Sequence, residues 1–390
     1  MAAPKIQASS GDGRHLFGSG AVECLTPYIL SFCAAPDVVQ FGATCQAANA
    51  FSHSPFVWKN LLEIEFDICK NEEMSRQITA VESDPGALAD VVISNFEKAF
   101  RHLFCSKAVF FHFCEPAEVK DLERTFNLHT PGGITGHRKR VDFVEIEEDM
   151  APLNTMYFPL KKYNVAFVCS DASNTDMSWA TQRDALGTWL ARFHSGGGTV
   201  VQLMFTLCSG IHLTLGGLWE MGKTDLITPD EQHIAPNLQL GALPHGREHP
   251  LLSNIANVDG GDQTYYSVGT LRNKAMVLAK WSNGVPFIVV DQADFLWHNK
   301  LKTSQSGFLI ALNIYPVSSD CDQYPYLWTR KLDNHATASA RKQASDGAGS
   351  YDNDVGRLLV NCLMCGSIRS LLCEDDLAES NRRLMAPLTW

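Results

Sequence analysis

Beyond residue 105 the apolar residues fall in short unbroken runs, and between these runs they recur at helical spacing. Ala108–Phe113 (AVFFHF), Val141–Ile146, Asn164–Cys169 (NVAFVC) and Thr199–Phe205 are runs of the first kind. A run without polar alternation is what a strand buried on both faces requires. Between them, Glu115-Pro116 opens a helix with Val119, Leu122 and Phe126 on one side. A second helix is capped by Ser178 and builds its face from Leu186, Trp189, Leu190 and Phe193, at i, i+3, i+4 and i+7, before Gly196-Gly197-Gly198 stops it. Strands alternating with helices at this spacing predict an α/β class with a doubly wound parallel sheet. Further strands are predicted at Ala275–Trp281, Pro286–Val290 and Phe308–Ile314, the first two joined by a Ser282-Asn283-Gly284 hairpin turn, so the sheet is mixed. Residues 210–261 lose periodicity and read as a long irregular insertion. A second polar stretch, 318–349, contains ASARKQASDGAGS and reads as mobile. A closing helix from about Asn353 buries Val355, Leu358, Leu359, Cys362 and Cys365.

The first hundred residues are patterned differently. Val22, Leu25, Ile29 and Phe32 recur at helical spacing up to Pro36-Asp37. Val38, Val39 and Phe41 begin a second apolar turn, and Cys45, Ala48 and Phe51 make a third face, followed by Ser54-Pro55 and the pair Trp58 and Leu61. Leu88, Val92, Phe96, Ala99, Phe100 and Leu103 recur at the 3.6 period, with Glu97 and Lys98 facing away. The organisation expected is a flexible arm over 1–17, a small all-α module over 18–66, a connector with one amphipathic helix over 67–104, and an α/β domain over 105–390.

Composition narrows the function classes. The chain has 390 residues, 45% of them apolar and 19% charged, enough for several domains with cores that need no staples. Its 43 acidic against 32 basic side chains leave a net charge of −11, which argues against sequence-independent nucleic-acid binding. The dense basic run His137-Arg138-Lys139-Arg140 reads as a solvated loop. No apolar run is long enough to span a bilayer, and the first residues lack the apolar block of a signal peptide. The twelve cysteines are scattered through apolar runs, which fits small buried hydrophobes in a reducing compartment, cytoplasmic or nuclear.

Candidate chemistry is sparse. Cys362 and Cys365 form a CxxC, but no second ligand pair completes a zinc site and both lie on the apolar stripe of a helix. His245 and His249 stand at i, i+4, yet Gly246 and Pro250 make the segment a loop rather than a metal-binding helix. The triple glycine precedes a strand, where a phosphate cradle does not belong. No cofactor and no metal are expected. In doubly wound sheets ligands sit at the carboxyl ends of the strands, which here gathers Ser170–Asn174 and Thr206–Gly210, with Asp171, Asn174 and Cys208 as the side chains of a possible crevice.

Two resemblances extend this reading. The segment VECLTPYILSFCAAPDVVQFGATCQAANAFSHSPFVWKNLLEIEF resembles an F-box: a Leu-x-Pro opening, an Ile-Leu pair, an Asp-Val-Val step, a Cys in the next helix and a late Trp-Lys-x-Leu. The resemblance implies docking onto a Skp-type adaptor of a cullin–RING ubiquitin ligase through Leu25, Pro27, Ile29, Leu30, Val38, Val39 and Trp58. The α/β domain resembles the flavodoxin-like fold of class I glutamine amidotransferases and their trehalose-utilisation-type relatives, on HPLL at His249–Leu252, AKWSNGVPFIVV, LNIYPVSSD and DVGRLLVNCL. Amidotransferases of this class use a Cys on a sharp turn after a strand, activated by a His-Glu pair. Cys208 lies near that place, but Thr206 stands where the turn wants Gly, and Tyr315-Pro316-Val317 replaces His-Pro-Glu. A tyrosine is a poor base at neutral pH and a valine orients nothing, so the resemblance implies a pseudoenzyme. Together the two imply a substrate receptor whose α/β domain recognises a target protein without chemistry of its own. The alternatives are a small-molecule-binding or hydrolytic amidotransferase-like enzyme, and an adaptor-bound scaffold with no ligase role.

Overall fold

The computed structural model describes residues 57, 58, 60, 107–129, 141–146, 163–170, 177–210, 214–247, 249–272, 274–291, 307–329 and 353–366. The chain divides into two compact units, Met1–Phe100 and Arg101–Trp390. In the first, Val57 and Trp58 lie on a helical turn and are buried, Trp58 to 2% exposure. Leu25, Pro27, Ile29, Leu30, Val38 and Val39 lie outside the described residues, as does the amphipathic stripe Leu88–Leu103.

The second unit is a mixed α/β domain with a largely parallel central sheet. Its strands are β1 (Ala108–His112), β2 (Val141–Glu145), β3 (Val165–Val168), β4 (Thr199–Gln202), β5 (Gln232–Ala235), β6 (Leu240–Ala242), β7 (Thr264–Ser267), β8 (Ala275–Trp281), β9 (Pro286–Asp291) and β10 (Leu309–Leu312). The main sheet runs β2-β1-β3-β4-β10-β9-β8-β6, while β5 and β7 pair separately. The first five strands are mutually parallel, and β9, β8 and β6 continue the sheet antiparallel. The parallel part follows the winding order of flavodoxin-like sheets, with β10 taking the fifth place.

Burial explains why the strands form where the apolar runs lie. β1, β3, β4 and β10 are buried at every position. Consecutive side chains point to opposite faces of a strand, so Phe110 and Phe111 serve different layers. Phe110 stacks on Phe167 at 5.7 Å, and Phe126 of helix α1 (Pro116–His129) meets Phe167 edge-on at 5.3 Å. On the other face Phe111 meets Trp189 of helix α2 (Met177–Ser195) at 5.1 Å, and Trp189 stacks on Phe193. Ser178 lies inside the first turn of α2 rather than at its cap, because the helix begins one residue earlier. The closing helix α4 spans 355–366, with Val355, Leu358, Leu359 and Cys362 buried as the spacing predicts and Cys365, expected with them, half-buried. Gly356 approaches His129 and Thr125 so closely that α4 belongs to the layer of α1.

The stretch 210–261 is more ordered than its composition suggests. It holds helix α3 (Gly217–Met221), β5, β6 and a 3-10 turn at Pro250–Leu252. Elements of three to five residues are too short to show a period, so the hydrophobic pattern is silent about them. α3 docks across α2: Gly217 N–H donates to Asp184 Oδ1 at 3.0 Å, Leu218 N–H to Thr188 Oγ1 at 3.2 Å, and Arg183 pairs with Glu220 at 2.6 Å. Trp219 and Gln202, the last residue of β4, both donate to the buried Asp225. Burial pushes the Asp225 carboxyl above its ordinary range, against those two hydrogen bonds and the charge of Arg272. Residues 318–329, expected to be mobile, are also packed: Leu327 and Trp328 are buried and Trp328 Nε1–H donates to the Tyr315 carbonyl.

A Cβ added at Gly187 would stand 2.1 Å from the Gly216 carbonyl oxygen, where α3 crosses α2. Replacing a helical Gly by Ala ordinarily stabilises by about 1 kcal/mol. Here Gly187→Ala is predicted to destabilise by about 1–3 kcal/mol through overpacking, seen as a lower thermal midpoint.

Candidate functional site at the carboxyl edge of the sheet

Helix α1 starts directly after β1, so its first turn lies at the carboxyl edge where doubly wound sheets place ligands. Glu115 accepts the first helical bond from Val119, Pro116 occupies the first helical position, and Glu118 sits at the third. Glu118 Oε2 reaches back to accept from the Glu115 N–H at 2.6 Å, the reciprocal half of a capping box. Its other oxygen accepts from the Tyr315 hydroxyl at 2.5 Å. One turn on, the two oxygens of Asp121 accept from Ser318 N–H at 2.8 Å and Ser318 Oγ–H at 2.9 Å. Glu118, Asp121, Tyr315 and Ser318 are all buried. Two carboxylates of one helix thus hold the loop after β10.

Aromatic rings fill the remaining space. Phe205, after β4, lies 5.1 Å from Tyr315 and 5.5 Å from Tyr265 of β7; Tyr265 and Tyr315 are 6.4 Å apart. Asn313 sets Tyr265 in place. Its side chain accepts from the Ser267 N–H and donates to the Ser267 and Pro286 carbonyls, joining β7 to the main sheet as a strand would. His112, at the end of β1, takes the Cys114 N–H on Nδ1 at 3.1 Å, which leaves the proton of the neutral ring on Nε2. Burial holds the imidazole down to about 4.

The residues singled out from the sequence part company here. Asp171 and Asn174 lie outside the described residues. Cys208 is buried, and among the described residues its hydrogen-bond partner is the Met204 sulfur at 4.0 Å. Burial pushes the Cys208 thiol up to about 12, the opposite of an activated nucleophile. The side chain facing Tyr315 across the β4–β10 junction is Phe205, and the Tyr315 hydroxyl is committed to Glu118. Val317 is buried in the core. Sequence reasoning missed Glu118 and Asp121, which look like the polar face of α1 but are buried beside Leu122 and Phe126. A Glu three positions after a capping residue, with Pro between, was the available signal.

Other sequence candidates are accounted for locally. His249 Nδ1 accepts from Leu251 N–H and caps the 3-10 turn, and His245 Nε2 contacts the Val277 carbonyl at 2.7 Å. Burial raises the Cys362 thiol well above its usual range and that of Cys365 to about 12. Among the described residues no group of three or more His, Cys, Asp or Glu is placed to hold a metal ion. No described helix is long and apolar enough to cross a membrane.

No protein-family model and no curated protein matches the chain. Solved structures do resemble it. A ThuA-like protein from Bacteroides uniformis is 16% identical, with a TM-score of 0.35, covering 54% of this chain and 81% of its own. PurLQS from Thermotoga maritima is 9% identical, with a TM-score of 0.34, covering 66% of this chain and 99% of its own. Gan42B, a GH42 β-galactosidase from G. stearothermophilus, is 11% identical with a TM-score of 0.32, and this chain spans 32% of its length. No residue role passes from any of them to this chain.

Tyr315→Phe strips the buried Glu118 carboxylate of a donor and is predicted to cost about 1–3 kcal/mol in urea unfolding. His112 contributes in the opposite direction to a histidine held charged by a salt bridge. Its neutral form is favoured by folding, so stability is full above about 6.5 and is lost as pH falls towards about 4, up to about 3 kcal/mol. His112→Asn is predicted to flatten that part of the stability–pH curve, read from thermal midpoints between pH 7 and pH 4.

Proposed function

We infer that the chain is a substrate receptor: an F-box-like module binds a Skp-type adaptor of a cullin–RING ubiquitin ligase, and the α/β domain recognises a target protein without catalysing a reaction. The observation that carries the non-catalytic half is the Tyr315–Glu118 pair packed against Phe205, at the place where an amidotransferase-like chain needs an imidazole facing a thiol. A Cys208 thiol pushed up to about 12 supplies negligible thiolate at neutral pH. A base and nucleophile of this sort normally account for orders of magnitude in rate, and the Tyr315 phenol and the protonated Cys208 thiol supply neither.

The adaptor half rests on the spacing of Leu25, Pro27, Ile29, Leu30, Val38 and Val39. Trp58 belongs to the same motif and is buried in the free chain. The ligase then acts on the target by proximity, in the cytoplasm or nucleus.

The test is affinity capture of the full chain on an immobilised Skp-type adaptor. Retention is expected for the natural chain and loss of at least about tenfold for Leu25→Ala with Pro27→Ala, since apolar anchors at an interface centre are worth roughly 1–4 kcal/mol each. Equal retention of both proteins, or of neither, overturns the reading.

A further inference from the structure

The loops that close the carboxyl edge carry the aromatic row outward to solvent. Tyr265, Tyr324 and Tyr326 are half-buried. Tyr324 lies 6.0 Å from Tyr315 at 76°, and Tyr326 lies 6.0 Å from Tyr324 at 89°, so the rings meet edge to face and none is stacked flat upon the next. Exposed carboxylates lie on the same loops as this row. Glu115 is exposed and accepts from Gln323 Nε2 at 2.5 Å, which places it against the loop bearing the tyrosines. Asp322, one residue earlier, is exposed, and so is Asp262, whose neighbour Gln263 donates its N–H to the Tyr326 carbonyl at 3.0 Å.

Nothing in these segments offsets that charge. Residues 112–118, 259–267 and 315–329 contain no Lys or Arg. Arg124 of α1 does reach this side of the molecule, where it pairs with Asp320 at 3.8 Å. Cys321 senses the field: burial first, and then the charges of Glu118, Asp121 and Asp322, push its thiol up against the hydrogen bond from the Gln323 amide. Tyrosine faces are electron-rich, and a cation among several of them gains further from carboxylates at the rim. A bare metal ion is a poor fit, since the described residues converge no ligand set on it. A flexible, positively charged side chain on an extended segment fits both features.

We propose that this edge is an interaction surface for a basic segment of a partner protein, a Lys or Arg side chain settling among Tyr265, Tyr324 and Tyr326 with Glu115, Asp262 and Asp322 around it. The proposal rests on the reading of the α/β domain as a recognition module, and it names the chemistry of what that module takes.

The full chain is titrated into a fluorescein-labelled peptide of arginine, lysine and glycine, followed by anisotropy, with the same peptide carrying citrulline and norleucine as control. Saturable binding of the basic peptide alone is expected. Tyr324→Leu with Tyr326→Leu should weaken it about fivefold to thirtyfold, while the paired Phe substitutions keep it within about threefold, because the ring face and not the hydroxyl attracts the charge. Glu115→Gln with Asp322→Asn, both exposed and safe for folding, should weaken it and flatten its salt dependence. No saturable binding, equal binding of the control peptide, or unchanged affinity in both the Leu and the amide variants overturns the proposal. Adaptor capture of the same proteins separates the two readings. Capture without peptide binding removes this surface alone, and peptide binding without capture removes the receptor role alone.

Discussion

A carboxylate taken out of water has to be met by donors, and in this domain three donors for Glu118 and Asp121 come from 197 residues further along the chain. That requirement fixes the whole carboxyl edge. The loop after β10 is bound to the first turns of α1, because letting it go would strip two buried carboxylates of three donors. Asn313 lies just upstream and secures β7 through its amide, so Tyr265 is positioned by the same return of the chain. Phe205 then closes the space between them.

The same constraint sets the surroundings of Tyr315 and Cys208. The phenol is committed to a buried carboxylate and hemmed in by rings, and the thiol a few residues beyond β4 lies against the Met204 thioether. Sheets of this winding order leave a crevice beside the ends of their central strands. Here the rings of Phe205, Tyr265 and Tyr315 lie together at that edge.

Much of the architecture was legible because it depends on burial. β1, β3 and β10 are unbroken apolar runs, which occur where both faces of a strand are covered. The layers of α1 and α2 follow from the spacing of Phe126 and Trp189. What periodicity could not show is short or polar. β5 and β6 occupy four and three residues, and Leu327 and Trp328 sit in a polar stretch whose packing depends on contacts with distant loops. Glu118 and Asp121 are the sharpest case: on a helix they read as solvent-facing, and only a partner across the fold makes their burial tolerable. Tyr315 stood out in the sequence, but its bond to Glu118 required the geometry. Cys208 was located by its neighbours in sequence, and its burial against Met204, like the contact of Phe205 with Tyr315, depends on how the chain returns at the β4–β10 junction.

The order of strands in the sheet has a consequence for how the protein is made. β10 lies between β4 and β9, yet it leaves the ribosome after both. Until Leu309–Leu312 emerge, the nascent domain consists of a parallel half and an antiparallel half, each ending in a row of unpaired amides and carbonyls on an apolar strand. Such edges recruit whatever strand comes near. A fragment ending before that segment is therefore two adhesive half-sheets rather than a shortened domain, and the last strand to arrive is the one that pairs both inner edges.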